Sequence, residues 1–212
     1  MRMKKNSKPV SGPSLRRLPT YLHLLEELQA QGVALVSCPT LAERLGLDPT
    51  QVRKDIAMTG LPGRPKVGYE TPLLIQAIRG YLHWDRLSGA VLVGAGNLGR
   101  ALMGYGGFAQ HGITIIAAFD DDAKLAGSVI HGKTVYNLSK LKAMLQESEV
   151  AIGIITVPAA VAQNVADQLV ASGIRAIWNF APVRLQVTEN VVVVNEDLSS
   201  SLAVLCRLLG KP

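Results

Sequence analysis

Ala90-Val91-Leu92-Val93-Gly94-Ala95-Gly96-Asn97-Leu98-Gly99 is the stretch that decides the fold. Its first residues read as a short apolar strand running straight into GxGxxG, and a helix-like run follows over residues 100–108. The glycines have separate jobs: Gly94 makes the tight turn, Gly96 lets backbone approach a pyrophosphate, and Gly99 lets helix and strand pack closely. N–H groups at the start of the helix then face the phosphates, where the helix dipole favours negative charge. A second apolar strand over residues 113–119 ends at Asp120, 21 residues after Gly99. That is where such a unit places the carboxylate that holds an adenosine ribose. The stretch therefore predicts a dinucleotide site built from Gly94, Ala95, Gly96, Asn97, Leu98, Gly99 and Asp120.

Beyond Asp120 the alternation continues. Residues 138–145 read as a helix, 150–157 as a strand, 160–171 as a helix, 176–179 and 191–195 as strands, and 198–209 as a final helix. Continuous apolar strands alternating with amphipathic helices predict a parallel sheet covered on both faces. Thr156, Val157 and Pro158 end a strand on the edge where such sheets bind ligands. The fold class is thus α/β, with a Rossmann-like domain over residues 85–197.

Charge divides the chain in two. Residues 1–88 carry 13 Lys/Arg against 7 Asp/Glu, while residues 89–212 carry 9 of each, so the whole net charge of +6 lies in the N-terminal part. Such asymmetry points to a polyanionic partner for the basic half. A solvated basic tail over residues 1–14, where Arg2, Lys4, Lys5 and Lys8 cluster, is the plainer alternative.

The basic half reads as a winged helix-turn-helix over residues 15–84. An amphipathic helix over residues 21–31 ends at Gly32; a short helix over 41–45 follows Thr40 as its cap; Gly46-Leu47-Asp48 turns the chain. Asp48 then caps a third helix, with Pro49 at its first position and Gln51 three after the cap. Val52 and Ile56 share its core face, leaving Thr50, Gln51, Arg53 and Lys54 on the exposed N-terminal part. A recognition helix touches base edges there: Arg bridges guanine O6 and N7, and Gln pairs with adenine. Residues 61–69 form a Gly/Pro-bounded hairpin with Arg64 and Lys66 near its tip, placed as a wing to reach backbone or minor groove.

Other features exclude function classes. No apolar run approaches the ~20 residues that span a bilayer, and no apolar stretch of signal-peptide length follows the basic N-terminus. Cys38 and Cys206 lack metal-ligand spacing, so no metal is expected, and reduced thiols fit a soluble cytoplasmic protein. The four histidines, His23, His83, His111 and His131, are scattered, and no His-Asp, Ser-Lys or Tyr-Lys pairing is evident. A sensor, not an enzyme, is expected. A small NAD-dependent oxidoreductase with an accessory basic domain is the main alternative, and a CoA- or nucleotide-binding regulatory module the second.

The chain resembles the Rex family of redox-sensing transcriptional repressors over nearly its whole length. The matching stretches are Gln51-Val52-Arg53-Lys54-Asp55, Val67-Gly68-Tyr69, Val93 through Gly99 continuing as Arg100-Ala101-Leu102, then Tyr105, Gly107-Phe108 and Asn179-Phe180-Ala181-Pro182-Val183. The resemblance implies a homodimer that binds palindromic double-stranded operator DNA when NAD+ predominates and is released when NADH binds. It further implies that the C-terminal segment 198–212 swaps its helix onto the partner's nucleotide domain, that Tyr105 lies near the nicotinamide, and that Asp197 joins a redox-dependent contact. Three departures stand out: Ala57-Met58-Thr59-Gly60 ends the recognition helix, His23 stands where an arginine is typical, and Leu198 replaces an aromatic carried by some members. A histidine at position 23 is either a pH-sensitive switch element or a side chain packed on the first helix.

Overall fold

The computed structural model describes residues 12–210, with the side chains of Leu198 and Ser201 outside what is described. Two compact units divide between Arg86 and Leu87.

The N-terminal unit is helical. Its first helix, α1 (Gly12–Ala30), starts nine residues before the expected position and carries Pro19 inside it. Proline removes a backbone donor and normally stops a helix. Here tertiary burial overrides it, since Leu18, Tyr21, Leu22 and Leu25 are all buried around it. Residues 12–14 thus belong to α1 rather than to a tail, and residues 1–11, with Arg2, Lys4, Lys5 and Lys8, lie outside the described residues. Strand β1 (Leu35–Val36) leads into α2 (Cys38–Leu45), whose cap is Ser37 rather than Thr40: the Ser37 hydroxyl accepts from the Thr40 N–H at 3.2 Å. Helix α3 (Pro49–Ala57) opens on Asp48, which accepts from the Gln51 N–H at 3.0 Å.

The expected two-stranded wing is less regular. A single bridge joins Arg64 and Gly68, with Lys66 at φ 62° in the turn between them. The chain then pairs β2 (Tyr69–Glu70) antiparallel with β1 and enters α4 (Thr71–Tyr81), a helix the sequence reading passed over. Pro72 in its first turn and buried Leu74, Ile75 and Ile78 are its signals. Residues from α1, α2, α3 and α4 share one buried core.

The C-terminal unit is a seven-stranded sheet among the described residues, ordered β5-β6-β4-β3-β7-β8-β9. Its elements in chain order are β3 (Ser88–Val93), α5 (Asn97–Gly104), α6 (Gly107–Gln110), β4 (Ile113–Asp120), β5 (Val129–Ile130), β6 (Lys133–Asn137), α7 (Leu141–Gln146), β7 (Ile152–Ile155), α8 (Ala159–Ala171), β8 (Ala176–Asn179), β9 (Val192–Asn195) and α9 (Leu198–Leu209). Every pairing is parallel except that of the edge strand β5 with β6. The hairpin of β5 and β6 was not expected, and the single helix expected over 100–108 is two, broken at Tyr105 and Gly106. One sheet face packs Val93, Phe119 and Ile155 against Leu141, Val165 and Leu169 of α7 and α8. The other packs Leu92, Ala118 and Ile154 against Met103 of α5 and Phe108 of α6.

Helix α9 behaves differently. Leu202, Val204, Leu205, Leu208 and Leu209 are all exposed, Leu209 at 84%.

Candidate functional site

Strand β3 lies between β4 and β7, so the chain leaves the sheet in opposite directions on its two sides, the switch point where such sheets bind ligands. A cleft of about 380 Å³ opens there, lined by Gly94 and Gly96 after β3, Asp120 at the end of β4, and Thr156, Val157 and Pro158 after β7. Its size falls in the range of small-molecule sites. Asp121, beside Asp120 and the alternative ribose partner, also lines the cleft, with Leu138, Val161 and Asn164, which sequence reasoning did not assign to the site.

Each glycine can be assigned a physical task. Gly94 sits at φ +103°, and a Cβ there would meet the Thr156 carbonyl at 2.8 Å. At Gly99 a Cβ would lie 2.0 Å from the Gly94 carbonyl oxygen. Gly96 is the opposite case: φ is −71° and a Cβ would meet nothing within 4 Å. Neither strain nor packing within the chain demands glycine there. Helix α5 also starts on Gly96 with no side-chain cap, leaving its first N–H groups for an anion.

Two side chains hold the loop in shape. The Thr156 hydroxyl donates to the Gly94 carbonyl at 2.7 Å. Asp120 accepts from the Ala95 N–H through Oδ2 at 2.6 Å and from the Asp122 N–H through Oδ1 at 2.9 Å. A carboxylate has about four lone-pair sites, so Asp120 retains capacity for a hydroxyl. Ala95 is wholly buried, while Asn97, Leu98 and Gly99 form the first turn of α5.

Tyr105 does not join this cleft. It is 58% exposed, stacks edge-on against Phe108 with centroids 4.9 Å apart, and lines a separate pocket of about 170 Å³ with His131 and Lys133. Asp197 caps α9, accepting from Ser199 and Ser200; these hydroxyl and amide donors hold its carboxyl down to about 2. Leu198 is the first residue of that helix, and its side chain lies outside what is described.

In the N-terminal unit a cleft of about 510 Å³ brings together Arg53 of α3 with Arg64 and Lys66 of the wing. Ser37, Cys38 and Tyr69 line its floor; burial pushes the Cys38 thiol up, with Arg53 and Tyr69 opposing. Arg64 spans 2.5 Å to Glu70, an exposed pair. Thr50 and Lys54 are exposed on α3 outside this cleft, and Gln51, expected to be exposed, is half-buried. His23 is exposed and 3.1 Å from Glu27 one turn on, so it is not packed into α1's core face.

Gln51 is drawn inward by a carboxylate that sequence reasoning left without a role. Asp55 is fully buried and accepts from Arg17 Nε at 2.7 Å, Arg17 Nη2 at 3.0 Å, the Tyr21 hydroxyl at 2.7 Å and Gln51 Nε2 at 2.9 Å. Burial pushes its carboxyl up, but these donors more than offset that and hold it at about 2. The signal was present in the spacing: Val52, Asp55 and Ile56 share one helix face, so an acid on the core side needs partners.

Residues 85–183 match the CoA binding domain family, and residues 9–57 match the family described as "Putative DNA-binding protein N-terminus". The redox-sensing transcriptional repressor Rex of Treponema denticola is 45% identical over 195 residues, covering 92% of this chain and 93% of that protein. The chain belongs to the Rex family of redox-sensing transcriptional repressors. Two solved Rex-type structures are similar over 96% of the chain: RSP in complex with β-NAD+ and operator DNA, 34% identical with a TM-score of 0.91 over 94% of its own length, and RSP in complex with β-NADH, 33% identical with a TM-score of 0.86 over 95%. Rex membership makes the chain a regulator and not an oxidoreductase. Among the described residues, no helix is long and apolar enough to cross a membrane and no group of three or more His, Cys, Asp or Glu could hold a metal.

Proposed function

We infer that this Rex-family chain is a repressor that binds palindromic operator DNA as a homodimer and lets go when NADH binds. One observation carries the reading: a switch-point cleft with an open Gly96 and an uncapped helix start shares a chain with a basic cleft formed by a recognition helix and wing. That a similar structure holds β-NAD+ with operator DNA, and another β-NADH, supports pairing these two sites.

The nucleotide lies along Gly94–Gly99 with its pyrophosphate against Gly96 and the start of α5, its ribose on Asp120, and Thr156, Val157 and Pro158 beneath it. Arg53 reads bases; Thr50, Lys54, Arg64 and Lys66 hold backbone phosphates or the groove edge. The exposed apolar side chains of α9 pack on a second copy, with Asp197 and Leu198 at the joint and Tyr105 and His23 as the elements that the redox state moves. The protein works in the cytoplasm, where NADH and DNA are both present.

The test is binding of the purified protein to a duplex selected from a randomised library, with NAD+, NADH or no nucleotide. Tight binding with NAD+ and release by NADH are expected. Binding indifferent to NADH, or NADH consumption without DNA binding, would overturn the reading.

A further inference from the structure

We propose that Asp55 is a positioning residue of the recognition helix that holds the Gln51 amide away from the bases, leaving base reading to Arg53. This rests on the DNA-binding reading above and adds to it a residue that sets specificity without touching DNA.

The Asp55 carboxylate has about four lone-pair sites, and the chain fills them. Arg17 Nε and the Tyr21 hydroxyl take Oδ2; Arg17 Nη2 and Gln51 Nε2 take Oδ1. A carboxylate only accepts, so the Gln51 group facing it is its NH2. An amide 2.9 Å from a fully buried oxygen lies back along α3 toward the core. A glutamine reading adenine must instead extend outward and present donor and acceptor together to N6 and N7. Extending Gln51 would also strip a donor from a buried charge, which is costly. Arg53 and Lys54, two and three residues further along the helix, are exposed. The same carboxylate, through Arg17 and Tyr21, clamps α3 to α1, so helix placement and Gln51 retention are set by one group.

The experiment takes a sequence enriched from a randomised duplex library by the full-length wild type with NAD+, then measures base preference at every half-site position for Gln51→Ala, Asp55→Ala and the double variant. Gln51→Ala should keep each wild-type preference within two-fold. Folded Asp55→Ala should change preference at least five-fold at one position, and the double variant should lose that change. A five-fold loss at one position in Gln51→Ala overturns the proposal, since Gln51 would then read a base in the native protein. So does an unchanged preference in folded Asp55→Ala, or an identical change with and without Gln51. Should Asp55→Ala melt below the assay temperature, the Gln51→Ala result decides alone. A wild type that enriches no sequence overturns the parent DNA-binding reading instead.

Discussion

A Cβ placed on Gly99 would stand 2.0 Å from the carbonyl oxygen of Gly94, so the turn after β3 and the first turn of α5 are in backbone contact. No side chain can relax that contact. Gly99→Ala should destabilise the C-terminal unit by about 1–3 kcal/mol, the usual cost of overpacking or more. Gly96→Ala should leave the melting temperature unchanged, because its backbone is ordinary and its surroundings are open. It should nevertheless lower NADH affinity at least ten-fold in calorimetric titration. Normal NADH binding by Gly96→Ala would remove the pyrophosphate from this loop.

The two kinds of basic residue should fail differently. Arg53→Ala should lose preference at one base position, a cost of about 1–3 kcal/mol. Arg64→Ala or Lys66→Ala should weaken binding to all sequences and reduce the salt slope by about 1. Fluorescence anisotropy against salt concentration, on matched and scrambled duplexes, separates the two. An Arg53→Ala protein with intact preference would displace the recognition helix from the role given to it.

Asp120 should choose the cofactor. Its carboxylate accepts a ribose hydroxyl and repels a 2′-phosphate, so NADH should bind far better than NADPH. Because Asp120 also holds the Ala95 N–H at 2.6 Å, Asp120→Ala should weaken NADH as well as lose the discrimination. Equal affinity of the wild type for the two reduced cofactors would defeat the assignment.

Asp55 makes the N-terminal unit acid-sensitive. Its carboxyl titrates at about 2 in the folded chain, against an ordinary 3.8. A depressed carboxylate contributes stability that is present above its ordinary value and is lost as pH falls through the folded one. The contribution, roughly 2 kcal/mol, should fade between about pH 4 and pH 2. Urea unfolding of wild type and Asp55→Asn at a series of pH values should show their stabilities converging over that window. A gap that stays constant across the window would show that ionisation of Asp55 is not its source.

Much of this architecture was legible because local signals and global fold agreed. GxGxxG between two apolar strands announced the cleft, and Asp48-Pro49-Thr50-Gln51 announced α3. What escaped was set by partners distant in sequence. Pro19 reads as a break, and only the burial of Leu18, Tyr21 and Leu22 around it makes α1 continuous. Gln51 looks exposed until Arg17 and Tyr21, from another helix, fix the carboxylate it bonds. Strand β5 has only two residues and β6, Lys133–Asn137, mixes apolar with polar ones, so neither period nor propensity marked them. Tyr105 sits where a helix breaks between Gly104 and Gly107, an interruption that no periodicity revealed.

The bare apolar stripe of α9 gives the molecule a thermodynamic property as well as a surface. With α9 packed on a second copy as proposed, side chains such as Leu202, Leu205 and Leu208, exposed in the single chain, gain their burial from that copy, so mass action enters folding itself. A chain stabilised this way melts higher when concentrated and lower when dilute. A cell making little of it would hold a poorer repressor as well as fewer copies, and the dose of the protein would tune its persistence as much as its occupancy of DNA.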